Sequence, residues 1–325
     1  MDYKTLGRTA LQVSPLALGT VNFGWLTDEK DSLAILDEAL DSGINFIDTS
    51  DNYNAGKTET ILGKYLSSGK RDQVVLSTKC FAPPNEFGSS DPVKASGSWV
   101  GPNDRGLSAK HIRLACEASL KRLKTDYIDL YQMHHIDRSA PLEEIWQAMD
   151  LLIQQGKVLY VGGSNFPGWY IARANEIAKQ RHLLGLVSEQ SIYNLAQRTI
   201  ELEVIPACRE YRMALTVYSP VGAGMLAGAG DEGMRRRFAQ SVQHKDQLDQ
   251  YAALCAELGE APAEVAIAWV RSNPHVTAPI IGPRTMAHLE SALHAMEIAL
   301  DAEALQRLNT IFPGPGGEAP EAYTW

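Results

Sequence analysis

The chain has 325 residues, 45% of them hydrophobic and 21% charged, enough to bury a large core in one or two domains. Its net charge is −9 and basic residues cluster only at Arg235, Arg236 and Arg237, which argues against a nucleic-acid or anionic-membrane partner. No run approaches the ~18 apolar residues that span a bilayer. The opening "MDYKTLGRTALQV" has no basic-then-apolar leader, and the four cysteines are widely spaced with no C-x-x-C pair, so a cytoplasmic protein with reduced thiols is expected.

Residues 3–13, split by "GRT", read as a small hairpin, a cap formed by residues 1–15. Short apolar runs then alternate with amphipathic ones. The predicted strands are "LALGT" (16–20), "NFIDT" (45–49), "VVLSTK" (74–79), "IDLYQMH" (128–134), "VLYVGGS" (158–164), "LVSEQ" (186–190), "ALTVYS" (214–219) and "TAPIIG" (277–282). Between them, "DEKDSLAILDEALDSG" puts Leu33, Leu36, Ala39 and Leu40 on one helical face and stops at Gly43. "SAKHIRLACEASLKRL" starts from Ser108 as N-cap and turns Ile112, Ala115, Leu120 and Leu123 inward. "PLEEIWQAMDLLIQQG" is punctuated by Pro141 and Gly156. Residues 81–107 and 222–244 are long loops, and "PGPGGEAPEAYTW" (313–325) is a Gly/Pro-rich tail.

Eight strands, apolar on both faces and alternating with about eight helices, predict a closed (β/α)8 barrel in one domain rather than an open sheet. The active site of such a barrel lies at the C-terminal strand ends. There the sequence places Asp48, Lys79, His134, Ser164, Asn165, Glu189, Gln190, Tyr218 and Ser219. One such residue would read as a salt bridge or a cap; five or more around one mouth read as a site.

Their chemistry is specific. A tyrosine with pKa about 10 becomes a useful acid if a buried cation stabilises its phenolate. Lys79 is the cation, Asp48 its partner, Tyr53 the acid, and His134 a donor that orients a carbonyl oxygen. The set has no activated serine or cysteine, no carboxylate pair and no metal-ligand spacing among the eight histidines, so no metal is expected. Carbonyl reduction is the reaction that uses this combination.

From "LGRTALQVSPLALGTVNFG" to "PIIGPRT" the chain resembles the aldo-keto reductases. "DTSDNYNAG" supplies Asp48 and Tyr53, "STK" supplies Lys79 and "DYIDLYQMHHID" supplies His134, in the family's tetrad order. Strand alternation turns the neighbouring His135 away. The resemblance implies NADPH as cofactor. Ser164, Asn165 and Gln190 would hold the carboxamide and Tyr218 would stack on the nicotinamide. Asp48 and the strand-one end at Gly19 and Thr20 also belong to this cofactor set. Ser219, Pro220, Gly222, Gly224 and Leu226 would line the pyrophosphate. Ile281, Gly282, Arg284 and His288 would take the adenosine 2′-phosphate at a helix start, where Arg suits phosphate. Relatives carry Gln in place of His288 and Asn in place of Ala292. Substrate contacts are expected from Trp25, Tyr53, Phe81, Trp99 and His134, with Phe87 and the C-terminal tail adding walls around an aldehyde, a ketone or a keto-sugar. The family also implies a rival role, a redox-sensing regulatory subunit, since some members serve as channel β subunits.

Two motifs are decoys. Gly222, Gly224 and Ala227 have G-x-G-x-x-A spacing but come late, and more glycine, then Asp231, Glu232 and Gly233, follows where a dinucleotide fingerprint requires a helix at once and an acid about 20 residues on. Tyr53 and Lys57 form Y-x-x-x-K, but Asn54, Ala55 and Gly56 between them favour a turn, leaving Lys57 exposed at the next helix start.

Overall fold

The computed structural model describes residues 1–83, 101–228 and 245–319. Strands β1 (Lys4–Thr5) and β2 (Gln12–Val13) form an antiparallel hairpin. The eight following strands are β3 (Ala17–Gly19), β4 (Phe46–Asp48), β5 (Val75–Cys80), β6 (Ile128–Met133), β7 (Val158–Ser164), β8 (Leu186–Ile192), β9 (Ala214–Tyr218) and β10 (Val276–Ile281). They pair in parallel in chain order, and β10 returns to β3 to close the barrel. Each predicted strand is present, and the closed barrel is the predicted one.

Ten α-helices are described. They are α1 (Glu29–Asp41), α2 (Lys57–Tyr65), α3 (Ala109–Leu123), α4 (Leu142–Gln154), α5 (Gly168–Gln180), α6 (Val204–Glu210), α7 (Lys245–Leu258), α8 (Pro262–Ser272), α9 (Met286–His294) and α10 (Ala302–Ile311). Local chemistry sets their ends. Asp28, Ser108, Thr285 and Asp301 each accept a backbone N–H at an N-cap, worth about 1 kcal/mol apiece. On α3 the expected inward residues Ile112, Ala115, Leu120 and Leu123 are all buried. On α1, Ile35 joins Leu36 and Ala39 in the buried set, while Leu33 and Leu40 are only partly covered at its edge.

The apolar core has two layers. A small cluster fills the barrel itself, with Phe46, Val75, Leu130, Val187 and Ile280 meeting Leu6 and Val13 from the hairpin. Larger clusters fill the shell between strands and helices. The hairpin is thus a stopper for the N-terminal end. A Cβ on Gly7 would lie 2.4 Å from the Val187 carbonyl oxygen, so this left-handed turn presses onto the strand bottoms as only glycine can. Arg8 fastens it by donating to Asn175 Oδ1 and to the Tyr211, Leu184 and Leu186 carbonyls at 2.6–2.8 Å. With that end closed, the opposite end is left for chemistry.

The first residues of the tail run down the side of the barrel, and residues 320–325, the rest of the segment expected to wall the substrate, lie outside the described residues. Arg198 holds the Phe312 carbonyl, Ala319 N donates to Leu202 O at 2.9 Å, and Glu318 meets Arg209 at 2.6 Å. Residues 313–319 therefore descend the flank beside α6, away from the mouth. All four cysteines are buried free thiols. Among the described residues no helix is long and apolar enough to cross a membrane.

Candidate active site

Period-two alternation along the strands aims Asp48, Ser77, Lys79, Gln132 and Gln190 into one space at the C-terminal end. Lys79 is fully buried, and its Nζ donates to Asp48 Oδ2 at 2.6 Å, to the Thr49 carbonyl at 2.8 Å and to Tyr53 Oη at 3.3 Å. The other Asp48 oxygen accepts from Ser77 Oγ at 3.1 Å, Gln132 Nε2 at 3.2 Å and Gln190 Nε2 at 2.9 Å. A buried ion pair persists only when its remaining hydrogen-bonding capacity is met, and here it is. Burial opposes the Lys79 ammonium, but Asp48 and Tyr53 outweigh it and hold its pKa above the ordinary lysine value.

Tyr53 comes from the turn between β4 and α2. Asn54 and Ala55 both adopt left-handed backbone, at φ 49° and 55°, before Gly56 at 83°. Two successive non-glycine residues in that region store strain, a recurring feature of functional sites. Compensation is local: Asn54 Nδ2 donates to the Phe23 carbonyl at 3.0 Å, and Thr58 Oγ1 donates to the same oxygen at 2.9 Å. Beneath the turn, buried Glu59 accepts from Thr78 Oγ1 at 2.6 Å and Arg122 Nε at 2.7 Å. Tyr53 departs from expectation in one respect. Burial raises its pKa and outweighs the pull of Lys79, so the phenol stays protonated in the free protein.

The His134 ring meets Tyr53 edge-on, 6.2 Å between centroids, and its Nδ1 lies 3.2 Å from Ser50 Oγ. Burial first, then Lys79 and His135, push its pKa well below the ordinary imidazole value, so it is neutral at neutral pH. His135 is not removed from the site: its ring stacks parallel on His134 at 5.1 Å and meets the Phe81 edge at 5.4 Å. Strand β6 ends at Met133, so alternation no longer governs the two histidines.

Around the mouth, Asn165 takes φ 59°, donates to Ser164 Oγ at 3.0 Å and accepts from Tyr218 Oη at 2.8 Å. Gly19 and Thr20 close β3, where Thr20 Oγ1 donates to the Asp48 carbonyl at 3.0 Å. Ser219 has φ 55°, and buried Pro220 precedes a 3-10 turn, Gly222–Ala227. Gly222 and Gly224 are left-handed there, and a Cβ on Gly224 would meet nothing within 4 Å. Leu226 and Ile281 turn their side chains into the helix–strand shell, so only their backbone can face a ligand. Gly282 is exposed, and Arg284 sits just before α9 with His288 Nδ1 3.4 Å from its backbone N. Ala292 is buried in the shell. Trp25 is 40% exposed in the first loop, and Trp99 and Phe87 lie outside the described residues. Lys57 is exposed at the start of α2, as expected.

Glu189 is the main correction among the strand-end residues. It faces outward from the barrel, fully buried, with Oε1 accepting from Phe166 N and Ser191 Oγ at 2.9 Å. Burial pushes its pKa up to about 8. Sequence reading also missed Ser77 and Gln132. Each sits two residues before a chosen lumen residue, and that offset was the available signal. Glu260, Glu264 and His294 gather on the outer surface, but Glu264 caps α8 and His294 pairs with Glu260 at 3.2 Å.

The chain is a closed eight-stranded barrel that gathers Lys79, Tyr53, Asp48 and His134 at its open end. The chain belongs to the aldo/keto reductase family, whose sequence model matches residues 15–312. It is 50% identical to the "Uncharacterized oxidoreductase YrpG" of Bacillus subtilis (strain 168) across the whole of both chains. It is 34% identical to versiconal hemiacetal acetate reductase of Aspergillus parasiticus, over 95% of this chain and 96% of that one. It is also 33% identical to a probable voltage-gated potassium channel subunit beta of Oryza sativa subsp. japonica, over 96% of each chain.

Proposed function

We propose that the protein reduces an aldehyde or ketone to the alcohol at the expense of NADPH, with Tyr53 as proton donor. The observation that carries this reading is the Lys79 ammonium, held by Asp48 at 2.6 Å and donating to Tyr53 at 3.3 Å. Tyr53 starts protonated, as a donor must. As its proton passes to the carbonyl oxygen, the Lys79 ammonium stabilises the phenolate left behind. Asp48 keeps Lys79 charged and in place. Neutral His134, edge-on to the Tyr53 ring, orients the carbonyl oxygen. A reduced dinucleotide held at the mouth by Ser164, Asn165 and Gln190 would supply the hydride.

The residues fit that cofactor. Left-handed Gly222 and Gly224, with open space at Gly224, suit a backbone cradle for a pyrophosphate. Ser164, Asn165 and Gln190 offer amide and hydroxyl groups for the carboxamide, beside the Tyr218 ring. Arg284 at the α9 N-terminus suits a 2′-phosphate. The reductase relatives support the same reaction class, and a small-molecule carbonyl is the substrate in view.

A panel of aldehydes and ketones, beginning with 4-nitrobenzaldehyde, followed by absorbance of the reduced nicotinamide tests this reading. Turnover is expected. Arg284→Ala should weaken NADPH binding about ten-fold or more and NADH binding hardly at all; equal loss for both would remove the phosphate assignment. The likeness to channel β subunits favours a second reading, a cofactor-binding regulatory subunit. Bound NADPH that no carbonyl on the panel oxidises would select it.

A further inference from the structure

Resting on the reductase reading, the geometry points to Ser50 as the positioning residue that sets which ring nitrogen of His134 carries the proton. The Ser50 side chain is fully buried between the Tyr53 turn and the end of β6. Its Oγ lies 2.7 Å from Asn52 Oδ1 and 3.2 Å from His134 Nδ1, with Asp51 Oδ1 at 3.4 Å. A hydroxyl has one proton to give and lone pairs to receive others. Asn52, His134 and Asp51 therefore compete for one hydrogen, in that order of distance.

The two outcomes differ chemically. When Ser50 donates to Asn52, its lone pair accepts from an Nδ1–H, and Nε2 is left as a bare acceptor. When Ser50 donates to His134, Nδ1 is the acceptor and Nε2 bears the proton. Only the second tautomer can donate a hydrogen bond to a carbonyl oxygen; the first suits the hydroxyl of an alcohol. The direction of one hydroxyl thus sets which tautomer of a neutral His134 is the more stable; the exchange itself takes up a proton at one ring nitrogen and releases one to solvent from the other, with no net proton gained or lost. Tautomer choice in histidine generally follows what the other nitrogen is bonded to. The shorter contact to Asn52 predicts the Nδ1–H form in the free protein.

The test is nitrogen NMR of histidine-labelled protein without cofactor, with His134 assigned by comparison with His134→Gln. In wild type the downfield, unprotonated nitrogen should be Nε2. In Asn52→Ala the freed hydroxyl should turn to Nδ1, and the two nitrogens should exchange places. In Ser50→Ala, which removes a single oxygen, both should move toward averaged positions. A companion measurement is kcat for carbonyl reduction in Ser50→Ala, expected to fall on the order of ten-fold, less than the loss of a proton-transfer group outright, with cofactor affinity unchanged. If both nitrogens hold their wild-type positions in both variants, the assignment is overturned. Absence of carbonyl turnover in wild type would instead sink the reductase reading, and the nitrogen positions would still decide the tautomer question.

Discussion

Two buried carboxylates, one inside the barrel and one in the shell around it, have opposite chemistry. Asp48 faces the lumen against a cation, and its oxygens accept from Lys79, Ser77, Gln132 and Gln190. Glu189 faces outward, where Oε1 finds two donors and Oε2 finds none. No cation among the described residues meets it, and its pKa climbs to about 8. Both are strand-end acids in an apolar protein. What separates them is the side of the sheet each faces, and so whether a lysine is within reach. A carboxylate becomes part of a charged network only where topology provides its partner.

The largest break of this contrast is Lys79→Met. It removes the cation and leaves Asp48 buried without its ion partner. Turnover should be lost, and stability should fall by about 3–5 kcal/mol in urea unfolding. A stable, active variant would show that Asp48 does not depend on Lys79. Tyr53→Phe should be next: carbonyl reduction falls by about 10²–10⁴ while cofactor affinity holds. Full activity there would end the proton-donor role.

Glu189→Gln sharpens the outer half of the contrast. The folded pKa of Glu189 lies above its unfolded value, so the native state holds a proton that the unfolded state has released. Its contribution to stability is complete below the ordinary glutamate pKa and is lost as pH rises through about 8. Wild-type stability should fall across that window with a slope of about one proton, and Glu189→Gln should flatten it. An unchanged slope would mean that Glu189 is ionised throughout. The smallest effect is expected from Lys57→Ala. This exposed residue should change stability by no more than about 0.5 kcal/mol and turnover not at all; a loss of turnover would revive the Y-x-x-x-K pairing.

The barrel was legible because the strands are short, apolar on both faces and alternate with amphipathic helices, three of which, α1, α3 and α9, begin at a side-chain cap. The inner four of the site were legible because the strand-end position of Asp48, Lys79 and His134 is a consequence of the same pattern. The support beneath them was less so. Ser77 and Gln132 could have been reached by counting back two residues. Asn54 could not, because its left-handed backbone and its bond to Phe23 depend on how two loops meet. Glu189 was misread because its neighbour Gln190 is the inward residue, and adjacent positions on a strand face opposite ways. His135 was misread for the converse reason: alternation was extended past the end of the strand. The path of residues 313–319 depends on Arg198 and Arg209, remote in sequence, and nothing within "PGPGGE" foretells it.

The four sequestered thiols bear on the proposed chemistry. Aldehydes are electrophiles, and a thiolate is among the nucleophiles they capture most readily. Cys116 is pushed up to about 12 and Cys255 to about 11, and burial drives Cys80 and Cys208 upward too. Sulfur that is both enclosed and un-ionised offers nothing for a reactive carbonyl to modify, so a catalyst of this design would tolerate its own substrates without adduct formation at cysteine.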